Sequence, residues 1–265
     1  MPQPWTGDPI LQTYRFCNVR RRDDRVSRWL IEHMLLSHAV HDTFTFVQWV
    51  SLGRWVNWPP TLEAIFDAGY VKPHSIDLPA AGKLIDSRQR SGDKVWTGAY
   101  MIRAPKNGMP KGQFICENVV AGLLEHKEAI EAAVVLRKCE EVWSALMRAM
   151  NFGPFMAGQV VADLTYTPML RNASDLYTWA PQGPGSRRGY NRLMGLPLKH
   201  PAPSQTIWNH ALQDWRAKVL EVIGGDPKTF TLHDMQNCLC EFDKYMRVVK
   251  GEGRPRSTYE PETAY

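Results

Sequence analysis

The chain has 265 residues, of which 44% are hydrophobic and 22% charged, and it contains 19 glycines and 19 prolines without periodicity. This composition excludes disorder of most of the chain and a collagen-like architecture, and the length suits one large domain or two small ones. The formal net charge of +5 permits a polyanionic partner without requiring one.

The N-terminal part of the chain predicts helices followed by a less regular segment. Apolar residues recur at helical spacing up to residue 68, whereas residues 70–114 lack a long apolar period and are expected to be irregular, with a small hairpin. Short strands or turns are expected at 95–97 and 100–102. The helices predicted in this part are 23–36, 41–52 with Asp42 as N-cap, and 62–68 with Thr61 as N-cap and Gly69 as terminator.

The C-terminal part predicts further helices separated by a polar loop. The loop covers residues 180–189, where glycine and proline argue against regular structure, and residues 251–265 are expected to form a flexible tail. The helices predicted here are two within 117–150, one over 155–166, one from Gln205 to Ile223 after a Ser204 cap, and one from Thr231 to about Val249. About eight helices and almost no strand predict an all-α helical bundle, with 1–265 as a single domain.

The residue types that commonly bind metals or stack on nucleobases show no pattern typical of such sites. Five cysteines without a CxxC pair and eight histidines without an HExxH motif predict no metal site, and a His38–His41 pair is more simply explained as helix residues. The closely spaced Trp49, Trp55 and Trp58 are interpreted as core aromatics, with a base-stacking platform as the alternative. No apolar run is as long as a membrane span, so no membrane partner is expected.

Four stretches carry more polar residues than a helical fold requires, and each has a plain structural alternative. Residues 18–25 contain four arginines that suit phosphate contacts or a salt-bridged helix start. The Gly-Pro turn at 153–154 opens a helix in which Asp163 is either a carboxylate base or a cap. The sequence GPGSRRG at 183–189 suits an anion-binding nest or an ordinary loop.

The fourth stretch is residues 238–245, CLCEFDKY. On a helix, Glu241, Lys244 and Tyr245 would share one face, either as reactive groups or as an exposed ion pair. Four anion-compatible clusters in one helical chain favour a polyphosphate or nucleic-acid ligand. No GxxxxGK[ST] phosphate loop and no GxGxxG fingerprint occurs in the sequence.

The stretches FCNVRRRDDRVSRWL, GPFMAGQVVADL, GPGSRRG and LCEFDKYMR together resemble, in order and rough spacing, the motifs of the α-glutamyl/putrescinyl thymine pyrophosphorylases. This family serves thymidine hypermodification in bacteriophages, and its domain also occurs as the helical domain of 5-hydroxymethyl-deoxyuridine DNA kinases. The resemblance covers about Tyr14 to Arg256 and implies a fold similar to helix-hairpin-helix DNA glycosylases. Arg20 and Arg22 depart from the family pattern, which leaves the amine donor open.

The resemblance implies an activity, in which an amine replaces the pyrophosphate of 5-pyrophosphoryloxymethyl-deoxyuridine in DNA. Because the kinase phosphate loop is missing, a stand-alone transferase is expected. The implied partners are double-stranded DNA with a flipped modified base and a free amino acid or polyamine, in the cytoplasm of the infected bacterial host. Arginines and the glycine nest would neutralise the leaving pyrophosphate, with Mg²⁺ as an optional cofactor.

The motif positions, with the physical reading of their residue types, define the candidate site. The candidate catalytic residues are Asp163, Glu241 and Lys244. The candidate substrate-binding residues are Asn18, Arg21, Asp24, Arg25, Arg28, Gly183, Gly185, Ser186, Arg187, Arg188, Asp243 and Arg247. Asp163 and Glu241 are proposed as proton acceptors because neither has an evident structural partner in the sequence, whereas Asp243 is expected to pair with an arginine or lysine.

Two other functions remain open. A helix-hairpin-helix DNA glycosylase would hydrolyse the base–sugar bond, although the sequence shows no LPGVGxxTA-like hairpin. A DNA-binding module without catalysis would not need acidic residues beside the arginines. A cysteine thiol that adds to the pyrimidine ring is a minor variant of the transferase mechanism, because no cysteine has an evident activating neighbour.

Overall fold

The described residues form two compact units. The structure, a computed structural model, describes residues 6–36, 40–97 and 108–260. The central unit comprises residues 25–181, and the terminal unit joins residues 1–24 to residues 182–265. Most described elements are helices, and the described strands form a single two-stranded sheet, so the predicted all-α class is confirmed. His38, residues 100–102 and residues 261–265 lie outside the described residues.

The described residues of the central unit form eight helices, several of them short, and one hairpin. The helices are α2 (Arg25–Leu30, continued by a π-helical turn over Ile31–Leu35), α3 (Thr43–Val56), α4 (Pro59–Asp67), α5 (Leu78–Arg90), α6 (Lys111–Gln113, continued by a π-helical stretch Phe114–Val120 and a 3₁₀ stretch Ala121–His126), α7 (Lys127–Val135), α8 (Cys139–Leu146) and α9 (Pro154–Leu164). The antiparallel strands are β1 (Val71–Lys72) and β2 (Ser75–Ile76), with Val71 opposite Ile76.

The core of the central unit surrounds α3, which is buried on nearly every face. Its cluster of buried apolar residues extends from Leu30 to Trp179. Trp49 and Trp55 belong to this cluster, which confirms their interpretation as core aromatics. The predicted cap is also confirmed, because the Asp42 carboxylate accepts a hydrogen bond from the Thr45 amide at 2.7 Å.

Two local predictions in the central unit were wrong. Residues 70–114 are not irregular throughout, because they contain the 13-residue helix α5. The Asp77 carboxylate caps this helix by accepting from the Ala80 amide, and proline follows in the first turn, which is a normal helix start. Thr61 does not cap α4, since the helix begins two residues earlier, at Pro59. The expected hairpin is present as β1–β2, whereas residues 95–97 form no strand.

The described part of the terminal unit contains four helices, one from the N-terminal part of the chain and three from the C-terminal part. The helices are α1 (Pro9–Thr13), α10 (Pro184–Leu193), α11 (Gln205–Ile223) and α12 (Leu232–Val249), with 3₁₀ turns at Arg21–Asp23 and Pro227–Thr229. The predicted caps Ser204 and Thr231 are confirmed, and Thr231 forms a reciprocal capping box with Asp234.

The loop predicted over 180–189 is present only at 180–183, because helix α10 begins at Pro184. Pro184 stands in its first turn, where its missing N–H group is tolerated, and the buried Ser186 hydroxyl bonds to the Gly183 N–H group at 3.1 Å. The glycines of this stretch lie against α12. A Cβ atom at Gly185 would overlap the Cys240 sulfur, and one at Gly189 would overlap the Leu239 carbonyl oxygen. The glycines therefore allow close helix packing and do not form the expected loop nest.

The C-terminal residues that are described pair with the N-terminal segment. The Arg15 amide donates to the Ser257 carbonyl at 3.1 Å, and the Tyr259 amide donates to the Thr13 carbonyl at 2.9 Å. The prediction of a flexible tail did not anticipate these contacts. Both chain termini thus contribute backbone to the same compact unit.

The close packing of α10 on α12 predicts a large effect of Gly189→Ala. The added methyl group has no room beside the Leu239 carbonyl, so we expect the variant to lose about 1–3 kcal/mol of unfolding free energy or more. Gly122→Ala is the matched control, because a Cβ atom there meets no atom within 4 Å. Thermal or denaturant unfolding measures both, and an equal stability of the two variants would contradict the packing role.

Candidate functional site

A buried carboxylate on α12 lies within ion-pair distance of three arginines in the terminal unit. The Asp243 side chain is fully buried, and its two oxygens accept from Arg188 Nε at 2.8 Å and from Arg192 Nε at 2.9 Å. Arg247 Nε lies 3.6 Å from the same carboxylate. The expectation that Asp243 pairs with a basic residue is confirmed, and we call Arg188, Arg192, Arg247 and Asp243 the arginine cluster.

The arginines of the cluster differ in exposure. The Arg192 side chain is 5% exposed and also pairs with Glu252, which lowers the pKa of that carboxyl group through their hydrogen bond. The side chains of Arg188 and Arg247 are 38% and 35% exposed. The three guanidinium charges exceed the two carboxylate charges. The cluster thus holds a partly exposed positive charge in a fixed place, which is what an anion-binding group needs.

A second polar group lies on another part of α12. Glu241 accepts a hydrogen bond from the Cys17 amide at 3.0 Å and forms an ion pair with Lys244. The Lys244 ammonium lies 5.4 Å from the centre of the Phe16 ring. The structure therefore brings the candidates Glu241 and Lys244 together, one helical turn apart. The prediction that Glu241 has no structural partner was wrong, because both groups hold its carboxylate.

The N-terminal motif is fixed by backbone contacts. The Asn18 amide donates to the Asp24 carboxylate at 2.9 Å, and the Asn18 side chain donates to the Asp23 carbonyl at 2.8 Å. The Arg21 amide donates at 2.8 Å to Asp234 in the capping box of α12. These bonds give Asn18 and Asp24 a role in shaping the turn.

Asp163 and its partner lie in the core of the central unit. Arg54 donates through Nε and Nη2 to the two Asp163 oxygens, and the two side chains are 4% and 2% exposed. Arg54 also donates to the Asn57 side chain at 3.2 Å and to the Ser27 hydroxyl at 3.1 Å. The expectation that Asp163 lacks a structural partner was wrong. Its contacts are those of a buried, fully paired carboxylate.

The remaining candidates are divided between the two units. Arg25 and Arg28 belong to α2 of the central unit, as Asp163 belongs to α9, and the other candidates belong to the terminal unit. Gly183, Gly185 and Ser186 form the start of α10 and its packing surface. Arg187 is exposed, in contrast to its neighbour Arg188.

Sequence reasoning missed three residues of these clusters. Arg192 lies one turn after Arg188, so a helical interpretation of this stretch would have placed the two arginines on one face. Glu252 follows the last helix and had been assigned to the tail. No local sequence pattern indicates the role of Arg54, because its partner Asp163 is 109 residues away in the chain.

The cysteines do not support a thiolate nucleophile. Burial raises the pKa of Cys238 to about 12, and it also raises the pKa of Cys240. The buried Cys116 and Cys139 shift in the same direction. A thiol whose pKa is raised in this way stays protonated at neutral pH, which weakens the variant mechanism with an attacking cysteine.

Neither a metal cluster nor a membrane helix occurs among the described residues. No three side chains of His, Cys, Asp or Glu are grouped for a metal ion in this part of the chain. Within residues 6–36, 40–97 and 108–260, no helix is both long enough and apolar enough to cross a bilayer.

The fold and the arginine cluster define an all-helical domain with a fixed anion-compatible surface. Residues 1–254 match the family model described as 5-hmdU DNA kinase, helical domain, and the chain therefore belongs to this family. A curated relative is the 5-hmdU DNA kinase of Bacillus phage SP10, which is 27% identical over 206 residues. The match covers 71% of this chain but 31% of that kinase, so the chain spans under a third of the relative. No solved structure matches the chain.

The buried pair in the central unit predicts the effect of Asp163→Asn. Loss of the carboxylate leaves the Arg54 charge buried without its partner, and we expect a loss of about 3–5 kcal/mol of unfolding free energy. Denaturant unfolding measures this loss. The double variant Arg54→Met/Asp163→Leu is the control, because it removes both charges and should regain much of the stability. A single variant as stable as the parent would contradict a structural role for Asp163.

Proposed function

We propose that the protein is a DNA-modifying transferase that replaces the pyrophosphate of 5-pyrophosphoryloxymethyl-deoxyuridine in phage DNA with an amine and thereby forms a hypermodified thymidine. The observation that carries the proposal is the arginine cluster, in which one buried carboxylate holds Arg188 and Arg247 partly exposed. Membership in a family of helical domains of phage DNA kinases supports DNA as the substrate and the cytoplasm of the infected host as the place of action.

The proposed reaction is a substitution at the methylene carbon attached to the pyrimidine ring. The amine nitrogen forms a bond to this carbon, the carbon–oxygen bond breaks, and pyrophosphate leaves with the electron pair. The leaving group gains negative charge at its bridging oxygen, so guanidinium groups placed beforehand stabilise the transition state more than the ground state. Arg188 and Arg247 are the proposed donors, and Asp243 keeps them in position.

The attacking amine must lose a proton, and Glu241 is the proposed acceptor. Its carboxylate is only partly buried, and Lys244 holds it in one orientation. Asp163 suits this role less well, because both of its oxygens bind Arg54 in the core.

The proposed substrates are double-stranded DNA and a free amino acid or polyamine. The reacting methylene group belongs to a stacked base, so the base would leave the helix, which costs a few kcal/mol. Mg²⁺ enters no step of the proposal. The carboxylates of Glu241, Asp243 and Glu252 already pair with basic side chains, and this donor set does not fit a metal held by the protein alone.

One experiment separates the candidate activities. The protein is incubated with pyrophosphorylated DNA and a panel of amino acids and polyamines, and the nucleosides are then analysed by mass spectrometry. A new amine-bearing nucleoside together with released pyrophosphate supports the proposal. A free base would indicate a glycosylase, and unchanged nucleosides with every amine would indicate a DNA-binding protein without this catalysis.

The arginine cluster predicts different effects for two neighbouring arginines. Arg188→Ala removes a donor fixed by Asp243 and should slow amine transfer about a hundredfold or more, whereas the exposed Arg187 should matter far less. Arg187→Ala is therefore the matched control, with the same charge loss on the same helix. Transfer rates under single-turnover conditions measure both variants, and equal rates would place the pyrophosphate site elsewhere.

The proton-acceptor role predicts a pH-dependent defect in Glu241→Gln. We expect this variant to lose transfer at neutral pH and to regain part of it at higher pH, because more of the free amine is then unprotonated. Glu221→Gln, an exposed change on α11 of the same unit, is the control. Transfer rates and DNA affinity are measured across pH. A loss of DNA binding in proportion to activity would show that Glu241 has a structural role.

A further inference from the structure

One segment of the central unit carries a large excess of positive charge. Residues 78–113 contain seven lysines and arginines and two aspartates, so this segment alone carries a net charge of +5. The whole chain has the same net charge, which means that the other residues balance to zero. A segment with such an excess is an electrostatic feature of its own, and it lies in the central unit.

The two acidic residues of the segment are engaged within it. The buried Asp86 carboxylate accepts from the amides of Gly112 at 2.6 Å and Gln113 at 2.9 Å, and it thereby joins α5 to α6. Asp93 forms an ion pair with Arg88 at 3.3 Å. Both carboxylates thus have partners within the segment, and Arg90 and Lys94 are exposed.

Two lysines of the segment are held over tryptophan rings. Lys94 Nζ lies 4.1 Å from the centre of the Trp58 ring, and Lys111 Nζ lies 4.6 Å from the centre of the Trp96 ring. Trp96 donates through its indole N–H group to the Gln89 side chain at 3.4 Å. Cation–π contacts restrict flexible lysine side chains, so less entropy is lost when an anion binds them.

We propose that this surface binds the phosphate backbone of DNA. We call it the lysine–tryptophan surface, and it comprises Trp58, Arg90, Lys94, Trp96 and Lys111. It is distinct from the arginine cluster, which belongs to the terminal unit. The choice of DNA as the polyanion rests on the proposed function, whereas backbone binding itself needs no transfer chemistry.

The chemistry of the surface favours nucleic acid over an anionic membrane. Binding to a bilayer surface requires large apolar side chains that enter the interface. Among the described residues, the exposed large hydrophobic side chains include none between Phe66 and Leu124. Partial burial lowers the pKa of Lys111, and a neighbouring phosphate would shift that pKa back upwards.

Salt-dependent binding of an unmodified DNA duplex tests the inference. The affinity of the full chain is measured by fluorescence anisotropy at several salt concentrations, for the parent and for Lys94→Gln/Lys111→Gln. Loss of two phosphate contacts should reduce the slope of log affinity against log salt by about 2, for duplexes of any sequence. The control variant, Lys138→Gln/Lys218→Gln, removes two exposed lysines outside the segment and should leave the slope unchanged.

The outcomes distinguish this inference from the proposed function. Equal slopes for the lysine variant and its control overturn the inference even if amine transfer is observed, and a selective loss of slope supports it even if transfer is never observed. If the double variant fails to fold, Arg90→Gln takes its place, because this change disturbs no tryptophan contact. It should reduce the slope by about 1. A parent protein that binds vesicles of phosphatidylserine and phosphatidylcholine but not DNA would also overturn the inference.

Discussion

The close approach of α10 to α12 is the constraint on which the terminal unit depends. Two glycines on α10 lie directly against the backbone and sulfur of α12, so the helices approach more closely than any larger side chain would permit. This approach brings Arg188 and Arg192 within hydrogen-bond distance of Asp243. The same residues therefore determine packing and the placement of positive charge. A buried carboxylate in such a contact is stable only because its arginine partners are fixed.

The helices with clear start signals were predictable from sequence, and α10 was not. Ser204 and Thr231 stand before long amphipathic patterns, and the structure confirms both caps. In α10, glycine and proline were interpreted as loop residues, because each glycine in a helix costs about 1 kcal/mol relative to alanine. Tertiary packing against α12 offsets that cost, and sequence propensity alone does not contain this information.

Contacts of the candidate site between residues close in sequence were predictable, whereas contacts between residues far apart in sequence were not. Glu241 and Lys244 are three residues apart, and their proximity follows from helical periodicity. The pairing of Asp163 with Arg54 joins α9 to α3 across more than a hundred residues, and no local pattern reports it. A carboxylate without an evident partner in the sequence was thus paired in the structure.

The order of the two units along the chain has a consequence for folding during synthesis. The central unit is continuous, so all of its residues have left the ribosome before the terminal unit has more than its first short segment. The terminal unit must then close a loop of more than 150 residues before its N-terminal segment can join α12. Closing so long a loop is slow but adds only a modest entropic cost, because that cost grows with the logarithm of loop length. The arginine cluster is consequently among the last features of the molecule to form, and a chain interrupted before α12 would carry a complete core without its arginine cluster.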